Sequence, residues 1–460
     1  MKKIDIYKHL SWKIKYEAGD MPYPPVLFWK NNIWIEDTII AWKNTLNIIK
    51  KSEKNHNMWL YVHIPFCYTN CSFCTCVVKV EHKEKKYDEY LDMLEKESKI
   101  YTDTFKWVKF NTVYVWWWTP TIITAKQTKR FYDILKNYFD LSEVKQMMTE
   151  WSPYTTTEDK MKVLAECWIN KMTFWVQSLD SKTLKKNNRF QNIDDVKNAI
   201  QLARKYGIEY INLDLMTWIE DQDIDWFKET IDLIEDLKPT TVHVNAFWPT
   251  KNTTYTQLWN IYSLDDINYR NDMYKYGRKF EDHRSKIKEL EKDNLQLYNA
   301  HNFNSSILWL WYWAISHAYS SIHYSKLSFS DYSKLVDGDK SIRFIWYKLD
   351  NNDEIISYLI NNLRNWVYFD RFSKIFKLDL ISLGIYKKIE KLIELWILVV
   401  GENIDYWKYV MFKFNSDLFS SIYSKSLYND KLIDEFSNYI DANKKEFLNL
   451  QLRLKQFFTD

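Results

Sequence analysis

Between residues 59 and 247 the chain alternates strand-like and helix-like patterns, and no other feature restricts its fold as much. Short apolar or β-rich runs predict strands at 59–64, 112–115, 145–150, 172–177, 208–216 and 240–247. Helical spacing is expected over 86–105, around Phe131, Ile134, Leu135 and Tyr138, and over 158–167 and 224–237. The helix before Gly207 is the clearest. Asp194 or Asp195 is placed to cap it, Val196, Ala199, Ile200 and Ala203 form one apolar stripe, and Gly207 supplies its stop. Roughly six strand–helix repeats in about 190 residues predict an α/β fold with parallel strands and helical crossovers. In a barrel of that kind, chemistry collects at the C-terminal ends of the strands. Residues 1–57 are mixed and aromatic, with a Pro-rich turn at 21–25, and are expected to be an extension packed across a 58–325 core. Helical patterns at 353–365, 385–395 and 430–457, with apolar segments such as 397–400 between them, predict a smaller, mostly helical domain over 326–460.

Directly after the first strand stand Cys67, Cys71 and Cys74, a C-x3-C-x2-C spacing that uses three of the five cysteines. Three thiolates can hold three irons of a [4Fe–4S] cluster and leave the fourth iron open to a small molecule. Structural zinc is the alternative. It wants four ligands, and Cys76 or His63 could supply the last, but the second ligand pair typical of zinc modules is absent from the sequence. Cys167 stands apart and reads as a small buried hydrophobe.

The residues around the cysteines carry a resemblance. Tyr61-Val-His63-Ile-Pro65-Phe-Cys67 resembles the radical S-adenosylmethionine enzymes, and within them the oxygen-independent coproporphyrinogen III oxidases and their heme-chaperone relatives. The likeness continues in order. Val113–Thr121 resembles a strand followed by Gly-Gly-Gly-Thr-Pro-Thr, Glu150-Trp-Ser-Pro153 a Glu-x-x-Pro, and Phe174–Ser178 a Gly-Val-Gln-Ser segment. Asn188-Arg189, Asn212-Leu-Asp214-Leu215 and residues 307–316 resemble three later motifs. The resemblance implies a partial (β/α)6 barrel of TIM type that binds a [4Fe–4S] cluster and S-adenosylmethionine. It implies metal ligation by Cys67, Cys71 and Cys74, and Tyr61 beside the cluster. Phe73, Trp117, Trp118, Thr119, Glu150, Gln177, Arg189, Asp214, Trp248 and Ile315 would contact S-adenosylmethionine, with Tyr61 and Glu150 closest to the chemistry. The implied reaction passes one electron from the reduced cluster to S-adenosylmethionine, giving methionine and a 5′-deoxyadenosyl radical that takes hydrogen from a substrate carbon. In the oxidases the substrate is coproporphyrinogen III, and two propionates become vinyl groups with loss of carbon dioxide. An electron donor such as flavodoxin or ferredoxin is implied as partner.

The subfamily stays open on the residues. Cys74-Thr-Cys76 and the long stretch before the cysteines resemble the oxidases. His301-Asn302 resembles the start of a heme-binding motif in the chaperones, but Ser305-Ser306 stands where its Tyr-Trp partner belongs. The family's Gly-Leu-Pro after the aspartate is Trp218-Ile219-Glu220 here. A coarser alternative is a zinc-stabilised protein without catalysis.

One departure recurs. Trp116, Trp117 and Trp118 occupy the three glycine positions of the strand-end loop, and Trp168, Trp175, Trp218, Trp309 and Trp311 repeat the exchange. That loop must bring backbone against a ligand, which glycine permits and an indole blocks. The chain has 6 Gly and 23 Trp, and together they approach what glycine alone supplies at its usual ~7%. A gene in which UGA encodes glycine, translated with UGA as tryptophan, gives this sequence. The Lys-, Asn-, Ile- and Tyr-rich composition fits an AT-rich gene of that sort. The other reading keeps the tryptophans as they stand, with the triplet as a stacking platform.

Charge adds an exclusion. With 64 basic and 61 acidic residues the net charge is +3, which points to no nucleic acid partner. Residues 1–20 lack the apolar stretch of a signal peptide. The longest apolar runs, such as 307–315, reach about half a bilayer span. A cytoplasmic, reducing location without a membrane span is expected.

Overall fold

The computed structural model of the chain describes residues 30–51, 57–74, 79–117, 122–208, 210–217, 219, 222–247, 273, 276, 305–310, 315–318, 321–324, 329–363, 367–394, 398–402, 408–412 and 427. Its strands are, in chain order, β1 (Lys30–Ile33), β2 (Asn57–Ile64), β3 (Phe66–Cys67), β4 (Lys79–Val80), β5 (Thr112–Trp117), β6 (Gln146–Trp151), β7 (Lys171–Gln177), β8 (Tyr210–Thr217) and β9 (Thr241–Ala246). They continue with β10 (Ser305–Leu310), β11 (Ile315–Ala318), β12 (Ser321–Tyr324), β13 (Phe344–Lys348), β14 (Val367–Tyr368), β15 (Leu398–Glu402) and β16 (Lys408–Phe412). One sheet runs β1-β13-β12-β11-β10-β2-β5-β6-β7-β8-β9. From β10 to β9 every pairing is parallel, and from β10 to β1 every pairing is antiparallel. The α/β architecture with a mainly parallel sheet and helical crossovers is the one expected.

Strand alternation separates the two faces of the parallel part. Leu60, Val62, Val113, Val115, Met172, Phe174, Leu213 and Leu215 are fully buried in one hydrophobic core together with helix residues such as Leu94, Phe131, Ile134, Leu164, Ala199 and Ile231. Burying each such aliphatic side chain contributes about 1.5–3 kcal/mol, so this face holds the fold. The opposite face carries Tyr61, His63, Tyr114, Glu150, Thr173, Asn212 and Asp214, with Glu150, Thr173 and Asn212 in one row of the register. Burying polar groups costs free energy, and a sheet face that accumulates them is built for something other than packing.

The helix Ile193–Lys205 corrects one expectation. Its cap is Asn192, whose side chain accepts from Asp194 and Asp195 N–H, while Asp195 accepts from Asn192 N–H. Asp194 and Asp195 instead lie in the first turn, where their charge meets the positive helix end. At its other end Gly207, at φ 81°, forms a Schellman stop: Gly207 N–H donates to Arg204 C=O and Ile208 N–H to Ala203 C=O. The helix Phe329–Val336 ends the same way at Gly338, and Ser181–Lys186 ends so at Asn188. The helix Glu158–Glu166 repeats it once more, with Trp168 N–H donating to Ala165 C=O and Ile169 N–H to Leu164 C=O. Trp168 thus sits at φ 68°, 69% exposed, at the position its three counterparts give to Gly or Asn. Trp42 is the contrary case, a fully buried ring edge-on to Phe105 at 5.1 Å.

The boundaries expected at 57 and 325 do not coincide with breaks in this core. β1 pairs with β13, and Ile33, Trp42, Leu46, Tyr332 and Phe344 join the same cluster as the parallel strands. The four antiparallel strands extend one edge of the sheet, so residues on both sides of the expected core are drawn into it. A second cluster holds Leu359, Leu363, Phe372, Leu380, Ile389, Leu398 and Val410 around the small sheet β14-β16-β15 and the helices Asn351–Asn362, Phe369–Phe376 and Tyr386–Glu394. The helical stretch expected at 430–457, the Pro-rich turn at 21–25 and His301 lie outside the described residues.

Candidate active site

The cysteine loop starts where β2 ends. After Pro65, β3 lays Phe66 and Cys67 alongside Lys79 and Val80 of β4. Cys67 is buried, Cys71 and Cys74 are half-buried, and none of the three is in a disulfide. Cys74 N–H donates to Cys71 C=O at 3.0 Å, which turns the loop tightly between these two. Burial pushes the Cys71 thiol up, the Arg189 guanidinium pulls it down, and neighbouring Cys74 pushes it up again. Arg189 Nη1 lies 3.7 Å from Cys71 Sγ as a donor. The loop is pinned from the side by the turn after Ser181–Lys186. Ser72 Oγ donates to Asn187 Oδ1 at 2.7 Å, Thr69 Oγ1 to Asn188 C=O at 3.0 Å, and Asn188 Nδ2 to Asn70 C=O at 2.9 Å.

Among the described residues no three His, Cys, Asp or Glu side chains stand close enough to grip a single metal ion. Cys76 lies outside the described residues. His63, the other zinc ligand considered, has its Nδ1 at 3.3 Å from Tyr61 Oη, and burial pushes its imidazole down to about 3. It is therefore neutral at physiological pH. Tyr61 itself is buried and edge-on to Tyr114, with ring centroids 5.5 Å apart.

Glu150 is the fifth of the six residues of β6, and Asp214 the fifth of the eight of β8. Both lie within their strands. Burial pushes the Glu150 carboxyl well above its usual range, and the Asp214 charge adds to this. Tyr114 donates a very short hydrogen bond to Glu150 Oε1, while the buried Oε2 has no well-formed partner. Asp214 Oδ1 accepts from Asn212 Nδ2 at 2.7 Å and faces His243 Nδ1 at 3.7 Å, and Thr241 Oγ1 donates to Asn212 Oδ1 at 2.7 Å.

Gln177 closes β7 at φ 65°, after an irregularity in the pairing with β8. A non-glycine residue there stores strain of the kind that collects at functional sites. Its Oε1 is buried without a partner. Arg189 Nη2 donates to Trp175 C=O at 2.5 Å and to Gln191 Oε1 at 2.6 Å, which ties it to β7, and its Nε is buried without a partner. Phe73 is buried with its ring 6.4 Å from that of Phe247, just past β9. Trp117 ends β5 opposite Ile64, but its side chain and residues Trp118, Thr119 and Trp248 lie outside the description. Ile315 opens β11 opposite Tyr324, its side chain likewise undescribed.

Three buried atoms without a well-formed hydrogen bond, Glu150 Oε2, Gln177 Oε1 and Arg189 Nε, lie on or against β6 and β7 beside the cysteine loop, and the Trp175 side chain also bonds the Glu150 carboxyl. Buried polar groups are nearly always paired. Two acceptors and one donor left over here fit a polar ligand carrying both donors and acceptors, as S-adenosylmethionine does.

Residues 61–234 match the model of the Radical SAM superfamily. These residues form a radical SAM domain. The cofactors expected from the sequence, S-adenosylmethionine and a [4Fe–4S] cluster, are those of this superfamily. The chain is 29% identical over 226 residues to the oxygen-independent coproporphyrinogen III oxidase of Helicobacter pylori (strain J99), covering 48% of each protein. It is 26% identical over 218 residues to the heme chaperone HemW of Lactococcus lactis, covering 47% of this chain and 56% of that one. The chain thus spans about half the length of the curated relatives it matches. Its fold resembles that of the Escherichia coli coproporphyrinogen III oxidase HemN, with a TM-score of 0.70 at 19% identity over 90% of this chain and 97% of that one. No described helix is long and apolar enough to cross a membrane.

The site also has neighbours that the sequence reading passed over. Tyr114 holds Glu150, His243 faces Asp214, and Asn187 holds the cysteine loop. The first two were legible in principle, since alternation along β5 and β9 puts 114 and 243 on the polar face.

Proposed function

We propose that this chain binds a [4Fe–4S] cluster through Cys67, Cys71 and Cys74 and cleaves S-adenosylmethionine reductively, with a porphyrinogen as the substrate whose propionates it oxidises. The single observation that carries the reading is the set of buried atoms on Glu150, Gln177 and Arg189 that lack a well-formed hydrogen bond, beside three cysteines that form no disulfide. When bound, the cluster supplies the electron for breaking the sulfonium bond. The protein's own groups hold the ligand. Burial holds the Glu150 carboxyl well above its usual range, a cation such as an α-amino group beside it favours the charged acceptor form, and Tyr114 fixes its rotamer. Gln177 accepts from the ligand, and Arg189 donates to it while keeping positive charge against Cys71. Asp214, braced by Asn212, is placed for hydroxyl groups. Tyr61 and Phe73 wall the site with buried rings and exclude water.

The reading includes glycine at 116–118 in the working protein, because the loop after β5 must meet the ligand with bare backbone. A reducing, cytoplasmic location and a protein electron donor go with it. The oxidase relatives support the substrate class. The test is anaerobic turnover of coproporphyrinogen III by the chain with glycine at 116–118. A vinyl product with release of carbon dioxide supports the reading, whereas stable heme retention without turnover replaces it with a chaperone role.

A further inference from the structure

A lysine is buried on the polar face of the parallel sheet. Lys171 opens β7 and is 3% exposed. Along β7 it shares that face with Thr173 and Trp175. The register sets Lys171 opposite Met148 of β6 and Tyr210 of β8, and Thr173 opposite Glu150 and Asn212. Lys171 is therefore the diagonal neighbour of Glu150 on the adjacent strand, within reach of a long side chain. Its Nζ stands 4.6 Å from the centroid of the Tyr210 ring. An ammonium buried this deeply needs countercharge.

The acids on this face are Glu150 and Asp214. Burial and the Asp214 charge push the Glu150 carboxyl up, while hydrogen bonds from Tyr114 and Trp175 and the charge of Lys171 pull it down. Each other strand beside the site adds a group of its own. His63 of β2, next to Tyr61, is kept neutral by burial. His243 of β9 faces Asp214 at 3.7 Å. Arg189 bonds Trp175 C=O and Gln191 and lies against Cys71. Among the described residues of β2 and β5 to β9, Lys171 is the one lysine or arginine on the polar face. Two carboxylates that share a site favour protonation of one, and a protonated carboxyl is a weaker acceptor for a cation than a carboxylate. A fixed ammonium on the neighbouring strand opposes that loss.

We propose that Lys171 is a positioning residue for ligand binding, whose ammonium favours the carboxylate form of Glu150 and so primes the site for a cationic amino group. This rests on the role given to Glu150 under Proposed function. Lys171 acts through Glu150, and the ligand meets the carboxylate.

The test uses the full-length chain with glycine at 116–118, loaded anaerobically with iron and sulfide. Protonation of Glu150 is read from the carbonyl band of its protonated carboxyl, isolated as the infrared difference between each chain and its Glu150→Gln counterpart and followed across pH. S-adenosylmethionine binding is measured by calorimetry over the same range. Lys171→Met, close in volume and uncharged, is expected to move the Glu150 midpoint up by about one pH unit or more. At a pH below both midpoints it then binds S-adenosylmethionine about tenfold more weakly than the parent. Lys171→Gln, a second neutral variant, repeats the shift. Lys171→Arg keeps the charge and keeps the parent's midpoint. An unmoved midpoint in the neutral variants overturns the proposal, since Lys171 would then only fill space. So does a shift that Lys171→Arg reproduces, because repacking and not charge would cause it. A midpoint that moves as expected in a chain that never binds S-adenosylmethionine supports the hold of Lys171 on Glu150 and sinks the functional reading instead.

Discussion

Trp168→Gly should stabilise the chain, although it removes a large side chain. The reason is local. Trp168 holds φ 68° at the end of the Glu158–Glu166 helix, with its ring 69% exposed. A residue with a Cβ in this left-handed region costs roughly 1–2 kcal/mol of strain, of which about 0.4–1 kcal/mol is offset by the lower chain entropy it has when unfolded. The ring regains a little through Lys136 Nζ, 4.3 Å above its centroid, worth about 0.5 kcal/mol at an exposed site. Trp168→Ala keeps the strained Cβ and loses the lysine contact, so it should be about 0.5 kcal/mol less stable than the parent. Trp168→Gly loses the same contact and sheds the strain, so it should exceed Trp168→Ala by about 1 kcal/mol. Gly207 is the internal mirror. It has the same two hydrogen bonds and φ 81°, and a Cβ added there would meet nothing within 4 Å. Gly207→Ala should therefore lose about 1 kcal/mol through the backbone alone. Urea midpoints at constant slope measure all three. The reasoning fails if Trp168→Gly is less stable than Trp168→Ala, because Trp168 would then be held by contacts and the position would not be a glycine's.

Other outcomes follow from the site. Cys67→Ser, Cys71→Ser and Cys74→Ser should each drop reconstituted iron from about four per chain to near none, read by iron assay and visible absorbance. The folded Glu150 carboxyl sits above its usual value of 4.5, so the folded chain keeps a proton the unfolded chain has released, and stability falls as pH rises from 4.5 through the folded value. Glu150→Gln should accordingly be more stable than the parent at pH 8 and level with it below pH 4.5, while losing S-adenosylmethionine binding in calorimetry. Asn187→Ala frees the cysteine loop from Ser72; losing a hydrogen bond worth about 1 kcal/mol should speed iron loss to a chelator about fivefold.

What the sequence made legible was what repeats. Apolar runs such as 172–177 and the stripe Val196, Ala199, Ile200, Ala203 mark the parallel strands and crossover helices, because burial on a period of two or 3.6 leaves a trace in the chain. The antiparallel edge was not legible. β11 and β12 are four residues each, and β1 joins β13 from more than three hundred residues away, a pairing that no local pattern encodes. The candidate site divides the same way. Cys67, Glu150 and Asp214 were visible through motif order. Tyr114, His243 and Asn187 act through partners distant in the chain, which only the register brings together. The positive φ of Trp168 belongs to a third kind. Glycine is the ordinary signal of a helix stop, and here that signal is written as tryptophan.

The most direct test is reductive cleavage itself. The chain with glycine at 116–118, loaded anaerobically with iron and sulfide, is given dithionite and S-adenosylmethionine, and 5′-deoxyadenosine is measured by chromatography. Release of 5′-deoxyadenosine that stops in Cys71→Ser is the result expected. A fully loaded, reducible cluster that never yields it would contradict the functional reading at its root.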